Sequence, residues 1–194
     1  IGVAPSSARG VDALVEAALC VADDLCIMMS DTDGMPRLVA AVLCSPGRWR
    51  LAEKIGGTMA SIHMPVARYD IDLDSPVNAV LKRMNVEKPM WRTNWGISNH
   101  PSLFQPDIPP HTPDMDIADM WFRTEWQTLR RLPETGAILF TIRTYVEKLS
   151  DFVTRDYAVV HDIGDIINKI PVDVAQYKSI APYRERIFEY FSAR

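Results

Sequence analysis

Two stretches of this 194-residue chain carry side chains able to do chemistry. The first is WFRTEWQTLRRLPETGAILFTIRTYV, Trp121 to Val146, where two β-forming runs flank a Pro-Glu-Thr-Gly turn. With Pro133 to Ala137 as the loop, Leu132 stands opposite Ile138, and alternation sorts the ribbon into two faces. Phe122, Trp126, Leu132, Ile138, Phe140, Ile142 and Val146 share one. Arg123, Glu125, Gln127, Arg131, Thr141, Arg143 and Tyr145 share the other. That polar face is either the wet side of a half-solvated hairpin or the wall of a site for anionic groups and proton traffic. On the second reading Arg143, Tyr145 and Glu125 are the catalytic candidates.

The second stretch is KIGGTMASIHMPV, Lys54 to Val66, in which a lone histidine, His63, ends a segment of small and apolar residues. Such a histidine is either packed and hydrogen-bonded or an axial ligand, because a neutral imidazole on an apolar wall suits haem iron. Gly57, with Gly56, Ala60 and Ser61, either packs a helix closely on a sheet or lets a flat macrocycle approach. Cys44, in VLCSPGRW, is the competing ligand, the alternative being a buried strand-end thiol. Arg48, Arg50 and Lys54 at the following helix entrance, and Arg92 on a strand, can pair with propionates or stay solvated.

The elements that must position these residues follow from periodicity and breakers. Arg9 to Asp23 has helical spacing. Leu25 to Met29 and Arg37 to Cys44 form a hairpin about Asp31-Thr32-Asp33-Gly34. Leu51 to about His63 is helical in pattern, weakened by Gly56-Gly57 and stopped by Pro65. Ser75-Pro76 opens a short helix to about Met84. Pro89 to Ile97 is the third strand, with Trp91 and Trp95 on one face and Arg92 and Asn94 on the other. Asn99 to Asp119, with five of the fourteen prolines, is a long surface loop. The ribbon supplies strands four and five. Val159 to Ile170 and Tyr183 to Phe191 are helical, divided by Pro171.

This order predicts a single α+β domain over residues 1–194. Its parts are a five-stranded antiparallel sheet, helices over one face and a helical C-terminal tail. Two strands, helices, then three strands is also the order of a PAS domain, whose pocket lies between sheet and helices.

Composition narrows the function classes. The formal net charge of −4 argues against nucleic-acid or anionic-membrane partners. No run approaches the roughly 20 apolar residues of a membrane span, and no signal peptide opens the chain. Cys20, Cys26 and Cys44 read as free, buried thiols in a reducing compartment, the cytoplasm. There is no GxGxxG, P-loop or GxSxG motif, and the four histidines lack HxxxH or HExxH spacing. The chain begins at Ile1 instead of methionine, so a natural N-terminal segment is expected to be missing.

The segments WFRTEWQTLRRLPETGAILFTIRTYV, MWRTNWGIS, CSPGRWRLAEKIGGTMASIHMPV and DDLCIM resemble the haem-dependent oxidative N-demethylase family, from about Ala18 to Tyr183. The resemblance implies a PAS-like haem protein that carries out O₂-dependent oxidative demethylation of a secondary or N-methyl amine, releasing formaldehyde. It implies haem b, and electrons from NAD(P)H through a separate flavin/iron–sulfur reductase. The family's IHxPV histidine falls on His63, making it the expected proximal metal ligand. Lys54, Arg48, Arg92 and Gly57 are then expected cofactor contacts. Arg143, Tyr145 and Glu125 rest on the face analysis alone. A haem-based sensor and a non-catalytic haem-binding or interaction module remain alternatives.

Overall fold

The computed structural model describes residues 7–155 and 157–193. Five strands form one antiparallel sheet in the order β2-β1-β5-β4-β3. They are β1 (Asp23–Ser30), β2 (Pro36–Val42), β3 (Met90–Ser98), β4 (Trp121–Arg131) and β5 (Ile138–Lys148). The helices are α1 (Gly10–Ala18), α2 (Leu51–Lys54), α3 (Met59–Ile62), α4 (Asp74–Arg83), α5 (Leu149–Arg155), α6 (Tyr157–Lys169), α7 (Val172–Tyr177) and α8 (Arg184–Ser192). The fold is therefore α+β, in the expected order of elements. Among the described residues no helix is long and apolar enough to cross a membrane.

The expected helix from Leu51 to His63 is broken in two. Gly56 takes φ +79°, and the glycine pair exchanges backbone bonds with β2: Gly56 N–H to Leu38 O at 2.7 Å, and Leu38 N–H to Gly57 O at 3.0 Å. Only glycine adopts that φ without strain. The pair thus extends the sheet edge instead of a helix, and α3 restarts after Thr58, whose hydroxyl accepts from Ser61 N–H. The tail holds two short helices that periodicity missed, α5 and α7, each too brief to show an amphipathic repeat.

The β4–β5 register differs from the expected one by a single residue. Arg131 faces Ile138, and Leu132 N–H donates to Ala137 O at 2.8 Å. Gly136, at φ +69°, closes the turn by donating to Leu132 O, so the loop holds one residue more at its start. Because side chains alternate, this slip exchanges the faces of one whole strand relative to the other. Arg123, Glu125 and Gln127 share their face with Thr144, Ile142 and Phe140. Arg143 and Tyr145 share theirs with Trp126 and Thr124.

Each face carries an apolar cluster, at opposite ends of the sheet. On the inner face Met28 and Ile138 pack with Leu81 and Met84 of the α4 region, with Met59 and Ile62 of α3 alongside. Arg131 caps α4 there, donating to Met84 O and Leu81 O, which makes it a structural residue. On the outer face Ile97 and Phe122 pack with Leu149, Phe152, Ile167 and Ile187, Phe122 stacking on Phe152 at 3.9 Å. Helices therefore pack on both faces instead of the expected one: α3 and α4 on the inner face, and the C-terminal helices over the Phe122 end of the outer face.

The register separates two arginines that sequence pairing placed together. Arg123 is 8% exposed, whereas the Arg143 side chain is 40% exposed. Arg123→Ala is expected to lower unfolding stability by about 3 kcal/mol, because it strands buried partners. Arg143→Ala should cost less than about 1 kcal/mol, as for a surface pair. Urea unfolding of both variants checks this, and equal losses would contradict the register.

Candidate functional site

The inner face of β4 builds a continuous polar ladder. Arg92 on β3 donates from Nε to Gln127 Oε1 at 2.7 Å. Gln127 Nε2 donates to Glu125 Oε2 at 2.9 Å, and Asn94 Nδ2 reaches the same oxygen at 3.2 Å. Glu125 Oε1 lies 3.6 Å from Arg123 Nε. Arg123 continues through Nη2 to Ser45 O and through Nη1 to Leu103 O at 3.1 Å. One strand thus presents three successive inward residues, at 123, 125 and 127, and neighbouring strands supply their partners.

Asp24 on β1 ends the ladder, at 1% exposure. Its Oδ1 accepts from the Cys44 and Ser45 N–H groups at 2.6 and 2.8 Å, while Oδ2 is buried without a hydrogen-bond partner. Burial raises its pKa above the ordinary value, against the two backbone bonds and the Arg123 charge. Gly47 closes over the ladder: an added Cβ would lie 2.9 Å from Glu125 Oε1. The Asn99–Asp119 segment, expected as a surface loop, covers the same end. Gln105 is buried, accepts from Arg48 N–H and donates to Pro46 O, and Leu103 holds Arg123.

His63 sits at the end of α3, half-buried. Its Nδ1 lies 2.9 Å from Met59 O. A carbonyl can only accept, so the proton is on Nδ1 and Nε2 keeps its lone pair. Tyr69 lies flat against the imidazole, centroids 4.5 Å apart and planes 7° apart, with its hydroxyl buried and unbonded. Burial chiefly, and then the Arg92 and Lys54 charges, hold the His63 pKa below its ordinary value, although the Met59 bond works the other way. The ring is neutral near pH 7.

Two residues absent from sequence reasoning complete the cluster. Tyr177 and Lys178, after α7, feel the charges of Glu125, Arg48 and Arg92. Lys178 Nζ donates to Trp95 O at 2.8 Å and lies 5.0 Å from the Trp95 ring centroid. Arg48, strained at φ 65°, donates to Lys178 O and Ile97 O. Burial lowers the pKa of Arg48, Arg123 and Lys178 alike. Arg48, Arg92, Arg123 and Lys178 thus cluster with the carboxyl groups of Asp24 and Glu125.

Several expected site residues are elsewhere or occupied otherwise. Arg143 and Tyr145 are on the outer face. Arg143 binds Asp23 at 3.3 Å and lies over the Tyr145 ring, and Tyr145 is 56% exposed. They cannot act with Glu125, which is on the inner face. Trp126, expected inside, is exposed on the outer face. The absent Cβ of Gly57 makes room for the chain's own Ile62 and Ser61, at 2.7 Å each, and not for a ligand. Cys20 and Cys44 are exposed instead of buried, and only Cys26 of the three lies in the core. Arg50 pairs with Asp107. Asp24 had a signal in sequence, an inward-register acid in an apolar strand, whereas Tyr177 and Lys178 had none.

Over residues 3–188 the chain matches the family described as haem-dependent oxidative N-demethylase, alpha subunit-like, and it belongs to that family. Haem dependence and an oxidative demethylase character are thus family-level properties of this fold.

The shift of His63 has a measurable sign. Its folded pKa is depressed below about 6.5, so the native state binds fewer protons than the unfolded one in that window. Its contribution to stability is complete above the ordinary value and is lost as pH falls through the folded value. NMR titration of the haem-free protein should place the His63 midpoint below the ordinary histidine value. A midpoint at or above that value would contradict the buried, neutral ring.

Proposed function

We propose that the chain is a haem-dependent oxidative N-demethylase acting on a secondary or N-methyl amine, with His63 as proximal ligand through Nε2. The supporting observation is the pairing of a neutral imidazole, its tautomer fixed by Met59, with the cationic cluster of Arg48, Arg92, Arg123 and Lys178 at and around the inner face. Arg48, Arg92 and Lys178 would be the partners of the two propionates of haem b. The donor set therefore fits the group. Bound there, haem would supply the redox chemistry that joins O₂ reduction to amine oxidation.

The overall reaction takes four electrons to reduce O₂. Two come from the N–methyl carbon and two from NAD(P)H, through a separate flavin/iron–sulfur reductase. One oxygen atom leaves in formaldehyde and the other as water, and the amine is released one methyl shorter. Glu125 is the residue suited to the substrate. Its carboxylate is anchored at Oε2 by Asn94 and Gln127, so its orientation is set before an ammonium N–H arrives. Arg123 Nε lies 3.6 Å from the other oxygen. The Asn99–Asp119 cover excludes water from this end. Free Cys20, Cys26 and Cys44 suit a cytoplasmic setting.

Reconstitution with haem gives the test. The wild type should show a Soret band and release formaldehyde in an amine- and reductase-dependent reaction. His63→Ala should shift or abolish the band, and Glu125→Gln should lower turnover at least about tenfold while the band persists. Unchanged iron coordination in His63→Ala would remove His63 as ligand. Gas binding without formaldehyde would favour a sensor.

A further inference from the structure

The outer sheet face opposite the site carries an exposed aromatic stack. Trp91 and Trp126 lie parallel, centroids 4.4 Å apart and planes 10° apart, and are 64% and 41% exposed. Tyr145 is beside them at 56% exposure, and Arg143 stands opposite Trp126 in the ladder. Arg130, exposed on the same face, makes no ion pair among those described. The C-terminal helices seal the Phe122 end of this face and leave the tryptophan end open. Large exposed aromatics beside arginine are the composition of a binding hot spot, not of an ordinary wet surface.

Its position in the chain links it to the inner site. Trp91 precedes Arg92, and Trp126 lies between Glu125 and Gln127. Successive residues point to opposite faces, so the stack and the polar ladder stand back to back across a single sheet. A charge delivered to the stack need cross only the strands that hold the site residues.

We infer that the electron-donor protein docks on this face, its cofactor edge over the Trp91–Trp126 stack, through an acidic surface that meets Arg130. The inference rests on the haem-enzyme reading, since nothing in these 194 residues resembles a nicotinamide- or flavin-binding motif. The alpha-subunit character of the family fits a chain that works with another. Arg48, Arg50 and Lys54, clustered around the start of α2, suit docking less well. Arg50 is neutralised by Asp107 and Arg48 is bound to backbone carbonyls. Small redox encounters steered by charge need only a few such contacts.

An acidic plant-type [2Fe–2S] ferredoxin serves as the donor probe, with the full chain. Its binding is measured by calorimetry, and its reduction of the haem-loaded protein by stopped flow against ionic strength. Trp91→Ala and Arg130→Glu should each raise Kd about tenfold and slow ferredoxin-driven reduction comparably. Reduction by dithionite should stay at the wild-type rate, and the salt dependence should flatten in Arg130→Glu. Wild-type affinity in both variants, no binding by the wild type, or loss of self-association in Trp91→Ala in place of ferredoxin binding would overturn the docking site. Binding does not require haem, so intact, variant-sensitive binding without a Soret band would count against the haem reading alone.

Discussion

The facing of the polar residues on β4 and β5 depends on one backbone constraint, the closure of the β4–β5 hairpin. Gly136 adopts a left-handed conformation and returns its N–H to Leu132, and Leu132 pairs with Ala137. That turn fixes Arg131 opposite Ile138, and with it the facing of eleven residue pairs. A slip of one residue would send Arg143 and Tyr145 inward and bury charges without partners, at a cost of several kcal/mol. The inward set chosen instead, Arg123, Glu125 and Gln127, finds Asn94 and Arg92 on β3, Asp24 on β1 and Ser45 in the loop after β2.

That inner face is stable as it stands, but only partly compensated. Backbone carbonyls of Ser45, Leu103 and Lys178 satisfy the arginines' hydrogen bonds without neutralising their charge. Guanidinium groups held this way keep their positive field, which favours anions nearby, while burial chiefly, and then the Arg92 and Lys54 charges, lower the proton affinity of His63. The Tyr69 ring and the Met59 carbonyl do the mechanical part, fixing the plane and tautomer of the imidazole. Orientation by a carbonyl bond on the second ring nitrogen is how a protein prepares a ligating histidine.

Much of this was legible in the sequence, for reasons that differ by residue. The strands were readable because Val, Ile, Thr and aromatic runs are bounded by breakers, and His63 because a lone imidazole among small apolar residues stands out. Glu125 was found by alternation within one strand, which needs no knowledge of register. Arg143 and Tyr145 were misplaced because their face relative to β4 hangs on loop length, and a Pro-Glu-Thr-Gly turn admits more than one closure. Gly56 and Gly57 looked like weak helix residues, whereas their use is a sheet-edge bond that only tertiary contact reveals. Tyr177 and Lys178 arrive from a distant helix, and local pattern holds no trace of that.

The proposed haem site lies over the face bearing Arg92, Glu125 and Gln127, not the face bearing Arg143 and Tyr145. The most direct measurement compares haem dissociation from Arg92→Ala and Arg143→Ala, using an apomyoglobin scavenger and the Soret band as readout. The account predicts that Arg92→Ala releases haem at least about tenfold faster than wild type, with Arg143→Ala unchanged. Faster release from Arg143→Ala, with Arg92→Ala at the wild-type rate, would contradict it.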